Sequence, residues 1–406
     1  MSIRRNLARL PARALFACAV VVCAAVLAGC AAAPRIPYTQ QEQALATIPG
    51  IPGARFWADD PTIGAGPRSV VRRLPTVDRP IVLALSGGGA DGAFGAGLIT
   101  GWSARGTRPK FTIVTGASAG ALIAPFAFLG PAYDETLRSV FASGEMANLL
   151  QSDVLYGLFG GTSLFKTAPL RELIARHVDA ALLAAIAQEY RAGRRLYIVT
   201  TNLDAQRTAI WDMGRIATSG DPLALELFRN VLTASASIPG VFSPVLIDVE
   251  ADGRRFAEMH VDGGVTTNVL IVPEAVLVSG TPLFPPSANP KVYIVMNGKL
   301  GADFDIVKAS TLQIVTRSFE TSVHANSRNT LLASYQFMRS RNWEFHLASL
   351  DPDYPKSAAL GGFDAAYMQQ LFDYGYQRGR SGVLWQSTPS ELLPPPAPTP
   401  PRVAGR

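Results

Sequence analysis

The sequence predicts an α/β protein, a mainly parallel central sheet flanked by helices on both faces. Three observations predict it. From about residue 78 to 385, short apolar runs of strand type alternate with longer helical ones, the pattern of parallel sheets. The run Ile81-Val82-Leu83-Ala84-Leu85 is apolar throughout, as in a buried strand, and opens into Ser86-Gly87-Gly88-Gly89-Ala90-Asp91-Gly92. A second run, Phe111-Thr112-Ile113-Val114, leads into the small-residue turn Gly116-Ala117-Ser118-Ala119-Gly120.

At the N-terminus, Arg4, Arg5, Arg9 and Arg13 precede a stretch from Ala14 to Ala33 that carries no charge. It contains Leu27-Ala28-Gly29-Cys30, so residues 1–29 resemble the signal peptide of bacterial lipoproteins, in which the cysteine is lipidated and becomes the new N-terminus. The plainer alternative is an uncleaved anchor, since the stretch is long enough to span a bilayer. Several acyl chains on Cys30 would hold the protein at a membrane surface, whereas one would not. Ala31 is not the aspartate that retains some lipoproteins in the inner membrane, which points to the outer membrane of a bacterial envelope. Cleavage would remove Cys18 and Cys23 and leave Cys30 as the only cysteine, so no intramolecular disulfide could form. Residues 30–77, rich in Pro, Gly and Ala, then read as a spacer that packs against the body.

The body begins at about residue 78. A turn as tight as Gly116-Ala117-Ser118-Ala119-Gly120 has no room for large flanking side chains, which is why a nucleophile elbow carries glycines there. A helix starting at Ser118 would aim its unpaired N–H groups at a reacting carbonyl. Bare amides in Gly87-Gly88-Gly89 could approach the same oxygen. That loop also fits G-x-G-x-x-G at Gly87, Gly89 and Gly92, but a dinucleotide site needs an acid at the end of the second strand, and Val114-Thr115-Gly116 stands there. Further on, Leu196 to Thr200, Lys291 to Met296 and Trp343 to Leu347 are strand candidates, and helices are expected at Ile306 to Met338, with room for a break, and at Asp364 to Gly379. Arg255 to His260 reads as a strand leading to Val261-Asp262-Gly263-Gly264, where an aspartate can enter a site without crowding. Residues 386–406, with Pro394-Pro395-Pro396 and Pro400-Pro401, read as an extended, disordered tail.

Taken in order, SGGGADG, GASAG, the block Ala234-Ser235-Ala236-Ser237-Ile238-Pro239 and DGG resemble the patatin-like phospholipases over about residues 80 to 298. The resemblance implies a three-layer α/β sandwich over residues 78–385 and a serine acyl hydrolase that works with a Ser-Asp dyad. It assigns Ser118 as nucleophile, Asp262 as base and the amides of Gly87, Gly88 and Gly89 as the oxyanion cradle. It also implies lipid or other carboxylic esters as substrate, with no cofactor and no metal. The chemistry is coherent on its own terms, because partial desolvation would make an ordinary aspartate basic enough to take a hydroxyl proton.

Two positions depart from the family pattern: Ser86 replaces the usual first aspartate of the glycine loop, and Asp91 stands where a cation is expected. An anion there cannot help hold a phosphate, so Asp91 is expected to face outward from the first turn of the next helix. The rival chemistry is an α/β-hydrolase triad. Of the four histidines, His177, His260, His324 and His346, only His260 lies near the motif, two residues before Asp262 on the same strand face, and it precedes its acid in the reverse of the usual chain order. A further rival is a catalytically silent lipoprotein that binds lipid or a protein.

Composition fits a tethered globular enzyme: 48% hydrophobic and 17% charged residues support a substantial core. The net charge of +6 includes the four arginines before the apolar stretch, which leaves too small a surplus to argue for nucleic acid. Leu149-Leu150, Val154-Leu155-Tyr156, Leu158-Phe159 and Leu164-Phe165, interrupted by Gly157, Gly160 and Gly161, read either as an apolar cover over a lipid site or as irregular core.

Overall fold

Alternation of side chains along the central strands divides the molecule into two cores. The computed structural model describes residues 35–64, 78–150, 167–285, 287–302, 304, 306–355, 363–382 and 385–392. Its strands are β1 (Arg55–Trp57), β2 (Ile81–Leu85), β3 (Ile113–Ala117), β4 (Arg195–Asn202), β5 (Arg207–Asp212), β6 (Val245–Ala251), β7 (Arg254–Asp262), β8 (Lys291–Val295) and β9 (Glu344–Ala348). They form one sheet in the order β1-β5-β4-β3-β2-β8-β9, with the β6–β7 hairpin joined through β7 to the C-terminal end of β4. The five strands β4, β3, β2, β8 and β9 are parallel, so their C-terminal ends share one edge of the sheet. Antiparallel pairings of β5, β1 and the hairpin make the sheet mixed.

The helices are α1 (Gln40–Leu45), α2 (Gly92–Ala104), α3 (Ala119–Leu129), α4 (Asp134–Ala142), α5 (Ala168–His177), α6 (Ala180–Arg191), α7 (Met213–Thr218), α8 (Ala224–Ser235), α9 (Glu274–Ser279), α10 (Thr311–Ser340) and α11 (Ala365–Ser381). Leu83, Leu85, Val114, Leu196 and Ile198 enter one core with residues of α2 to α8 and α11. Val82, Ala84, Ile113, Tyr197 and Val199 enter the other with α9 and α10. This is the period-two logic of a strand buried on both faces, and it gives the expected α/β sandwich.

Several expectations change in detail. The stretch read as a spacer contributes an edge strand, with Arg55, Phe56 and Trp57 paired to Trp211, Ile210 and Ala209 of β5. It is tied down further by a capping box on α1 between Thr39 and Glu42, and by Tyr38 stacked on Phe256 at 4.3 Å. Helix α10 runs unbroken for 30 residues, about 45 Å. Residues 1–34, including Cys30, most of the apolar segment read as a cover (151–166), and the tail beyond 392 lie outside the described residues. Among the described residues, no helix is long and apolar enough to cross a membrane.

Helices α2 and α11 approach so closely that each needs glycines against the other's backbone. A Cβ on Gly97 or Gly101 would collide with the carbonyls of Phe372 or Tyr376, and one on Gly375 or Gly379 with those of Phe94 or Leu98. Because α2 begins directly after the glycine loop, this contact also fixes the loop's position. Gly101→Val is therefore expected to cost about 3 kcal/mol or more in urea unfolding, at the upper end for overpacking, because the obstacle is backbone. A loss below 0.5 kcal/mol would mean that the two helices separate freely.

Candidate active site

The glycine-rich turn after β3 places Ser118 on a strained backbone, with φ 52° and ψ −125°. A non-glycine residue in that region costs on the order of 1–3 kcal/mol and persists only where its surroundings enforce it. Here they do. The Ser118 N–H donates to Ser235 Oγ at 3.0 Å, and that hydroxyl donates to the Val199 carbonyl at 2.6 Å. A Cβ on Gly116 would meet the backbone of Gly120 and Ala121, and one on Gly120 would meet the carbonyls of Leu85 and Ser86. The small residues of the motif are thus explained by strand, turn and helix touching through main chain. Ser118 sits immediately before α3, so the N-terminal end of that helix dipole faces its hydroxyl.

Asp262 closes β7, the strand paired with β4 beside β3, and caps the short turn Gly263–Val265. Its Oδ1 accepts from the Gly264 N–H at 2.7 Å and its Oδ2 from Ser118 Oγ at 2.6 Å. Both residues are buried. Burial pushes the Asp262 carboxyl up to about 7, and the hydrogen bonds from Ser118 and Gly264 offset only part of that rise. Two residues 144 positions apart in the chain are therefore in direct hydrogen-bond contact.

The third segment, the glycine loop after β2, divides its amides unequally. Gly87 N–H donates to the Asn268 carbonyl at 2.9 Å and so is already engaged. The amides of Gly88 and Gly89 have no acceptor among the described residues. Of the three amides that the sequence assigns to an oxyanion cradle, the Gly87 N–H is thus committed to the main chain. Asn297, just beyond β8, clamps both ends of the loop. Its Nδ2 donates to the Ser86 carbonyl at 2.7 Å, and its Oδ1 accepts from Gly95 N–H at 3.1 Å. Ser86, which replaces the usual aspartate, accepts from the Asn297 N–H at 2.8 Å and donates to the Gly87 carbonyl at 2.7 Å. This position therefore holds the loop together without a charge.

Asp91 does not face solvent as expected. Its Oδ1 accepts from Tyr367 Oη of α11 at 2.7 Å, so its carboxylate is directed to the helix contact behind the loop. Likewise, the structure does not bring His260 to the serine. His260 Nδ1 lies 2.9 Å from Thr200 Oγ1 and Nε2 3.2 Å from Glu258 Oε2, while its ring packs edge-on against Trp211. Both ring nitrogens are therefore engaged away from Ser118 and Asp262, which removes the basis for a Ser-His-Asp arrangement. Glu258 also pairs with the buried Arg55. Burial drives His260 toward its neutral form. Burial alone would raise the Glu258 carboxyl, but His260 and Arg55 together hold it below its ordinary value.

Ser235 and Asn297 were not assigned roles from sequence. Ser235 lies inside the Ala234–Pro239 block, whose small residues were visible. Asn297, a polar residue at the end of an apolar strand, gave only a faint signal.

Residues 83–275 match the family model described as patatin-like phospholipase. No curated protein matches the chain. Among solved structures, it is similar to VipD from Legionella pneumophila at 13% identity, over 76% of this chain and 68% of that one, with a TM-score of 0.32. The matched stretch includes the glycine loop, the serine turn and Asp262, and the chain thus carries a domain of the patatin-like phospholipase family, a family of serine lipid acyl hydrolases.

Proposed function

We propose that the chain is a membrane-tethered lipid acyl hydrolase in which Ser118 is the nucleophile and Asp262 the base, cleaving carboxylic esters of lipids through an acyl-enzyme. The observation that carries this reading is the buried 2.6 Å hydrogen bond from Ser118 Oγ to Asp262 Oδ2. A carboxyl held near 7 is partly ionised at neutral pH and basic enough to accept a hydroxyl proton. As that proton moves to Asp262, Ser118 Oγ bonds to the ester carbon and negative charge collects on the carbonyl oxygen. In this reading the Gly88 and Gly89 amides and the N-terminal end of α3 stabilise that charge. Collapse returns the proton from Asp262 to the departing alcohol and leaves the acyl group on Ser118. Water then gives a proton to Asp262 as it attacks, and breakdown of the second intermediate releases the fatty acid and restores the serine.

The tether belongs to the same proposal. A signal peptide over residues 1–29 and lipidation of Cys30 would place the domain in a bacterial envelope, at the outer membrane, on a short linker before Arg35. Metabolic labelling with a radioactive fatty acid should mark the wild-type chain and leave Cys30→Ala unmarked. Equal incorporation in both would remove the tether from the proposal.

A fluorophosphonate probe should label wild-type protein and fail on Ser118→Ala, because only an activated serine reacts. Asp262→Asn should lower kcat by about 10³-fold or more, whereas folded His260→Asn should still be labelled. Labelling of Ser118→Ala, or its loss in His260→Asn alone, would overturn the dyad. For wild type, kcat/KM should rise with pH and level off above about 7, the ionisation of Asp262.

The same carboxyl affects stability. Folding raises its pKa from 3.8 to about 7, so the folded chain holds that proton more tightly than the unfolded chain. The resulting stabilisation is fully present below about pH 4 and is lost as pH rises through 7. Asp262→Asn should accordingly be more stable than wild type at pH 8, by up to about 4 kcal/mol from a shift of that size. The difference should shrink toward zero near pH 4; a difference that stays constant between pH 4 and 8 would contradict the raised pKa.

A further inference from the structure

Among the described residues, several exposed large apolar side chains fall close together in the chain. Phe304, Ile306, Ile314 and Val315 are 93%, 82%, 51% and 61% exposed. They lie where the chain leaving β8 turns into the first turns of α10. A cluster of this kind on a folded surface calls for an occupant.

Topology sets where the cluster stands. Strand β8 is parallel to β2 and paired with it, so the segment after β8 leaves the sheet at the edge that carries the glycine loop and Ser118. Helix α10 then returns along the sheet, with Leu331, Tyr335 and Met338 in the second core. Higher on the same helix, Asn326 donates to the Thr266 carbonyl at 2.6 Å and Ser327 accepts from Asn268 at 2.9 Å. Residues 326 and 327 are therefore level with the turn that follows Asp262. The helix starts at residue 311, so it continues for 15 residues past residue 326, about 22 Å at 1.5 Å per residue. The apolar cluster is at this projecting end, on the sheet edge that carries the glycine loop and Ser118.

We propose that Phe304, Ile306, Ile314 and Val315 form an insertion edge that seats the catalytic mouth against a lipid surface. The inference rests on reading the chain as a lipid acyl hydrolase, whose substrates are packed in such surfaces and whose serine is buried. It is separate from any anchor at Cys30, which would hold the protein near a membrane without orienting it. Lys299, Lys308 and Arg317 are nearly balanced by Asp303 and Asp305 in the same stretch of sequence. Insertion is thus driven by apolar contact, and a zwitterionic surface suffices.

The test uses the full chain with phosphatidylcholine vesicles whose acyl chains carry bromine, a quencher of tryptophan. In Phe304→Trp, quenching should exceed that of the wild-type tryptophans. In Val278→Trp it should not, since Val278 is exposed near Gly280, which bonds Arg341 at the opposite end of α10. A combined Ile306→Asp and Val315→Asp variant should hydrolyse a soluble short-chain ester within about twofold of wild type and vesicle lipid roughly tenfold more slowly. No added quenching at position 304, or equal losses on both substrates, would overturn the proposal. So would a wild-type dimer that the double variant makes monomeric with vesicle hydrolysis intact, which would mark a face between two copies. Quenching in Phe304→Trp, together with wild-type protein that cleaves neither ester, would instead defeat the catalytic reading and leave the insertion edge standing.

Discussion

The site depends on one carboxylate being kept from water with only two hydrogen-bond donors. Among the described residues, Asp262 has Ser118 and Gly264 as its side-chain partners and no cation beside it. An exposed aspartate would be too acidic to take a hydroxyl proton, and one paired with an arginine more acidic still. The desolvation that raises its pKa also disfavours the folded state at neutral pH, so the rest of the fold has to offset it. Two cores, one on each face of the sheet, supply the burial that does so.

Backbone contact is the second constraint. Ser118 can hold its strained conformation because β2, β3, β4 and α8 meet around it through main chain and one small hydroxyl. Any added methyl group at Gly116 or Gly120 would push the elbow off the sheet edge. The same economy of side chains recurs behind the loop, where α2 and α11 touch through glycines, and Tyr367 of α11 engages Asp91. The glycine loop and the Ser118 turn thus lie at the C-terminal ends of the parallel strands β2 and β3, and Asp262 is brought to the same edge by β7, which pairs antiparallel with β4.

Steric necessity is what made much of this readable from residues. The elbow can be built only from small residues, so Gly116 and Gly120 marked Ser118, and the unbroken apolar run at Ile81–Leu85 marked β2 to the residue. Side-chain bridges left no such trace. Asn297 lies 211 positions from Ser86, and Tyr367 lies 276 from Asp91; nothing in either local stretch announces its partner. Hence Asp91 was expected to face outward, and the engagement of Gly87 by the Asn268 carbonyl could not be foreseen. The edge strand β1 was missed for another reason: three residues inside a Pro- and Gly-rich stretch are too short to show an alternating pattern. The length of α10 was nearly legible, but its projection beyond the sheet follows only from where β8 ends.

His260 and Asp262 show how environment, rather than residue type, divides roles along one strand. Two residues apart on β7, both are buried. Around His260 the chain assembles Glu258, Arg55, Thr200 and Trp211, a set in which a buried acid and a buried base neutralise each other and both imidazole nitrogens are engaged. Such a cluster holds its protons firmly and fixes the hairpin on β4. Asp262 has no counter-charge among the described residues, so burial raises its proton affinity. A histidine, the commoner choice of base, is therefore locked into structure, and an aspartate, ordinarily too weak a base, is the residue hydrogen-bonded to Ser118.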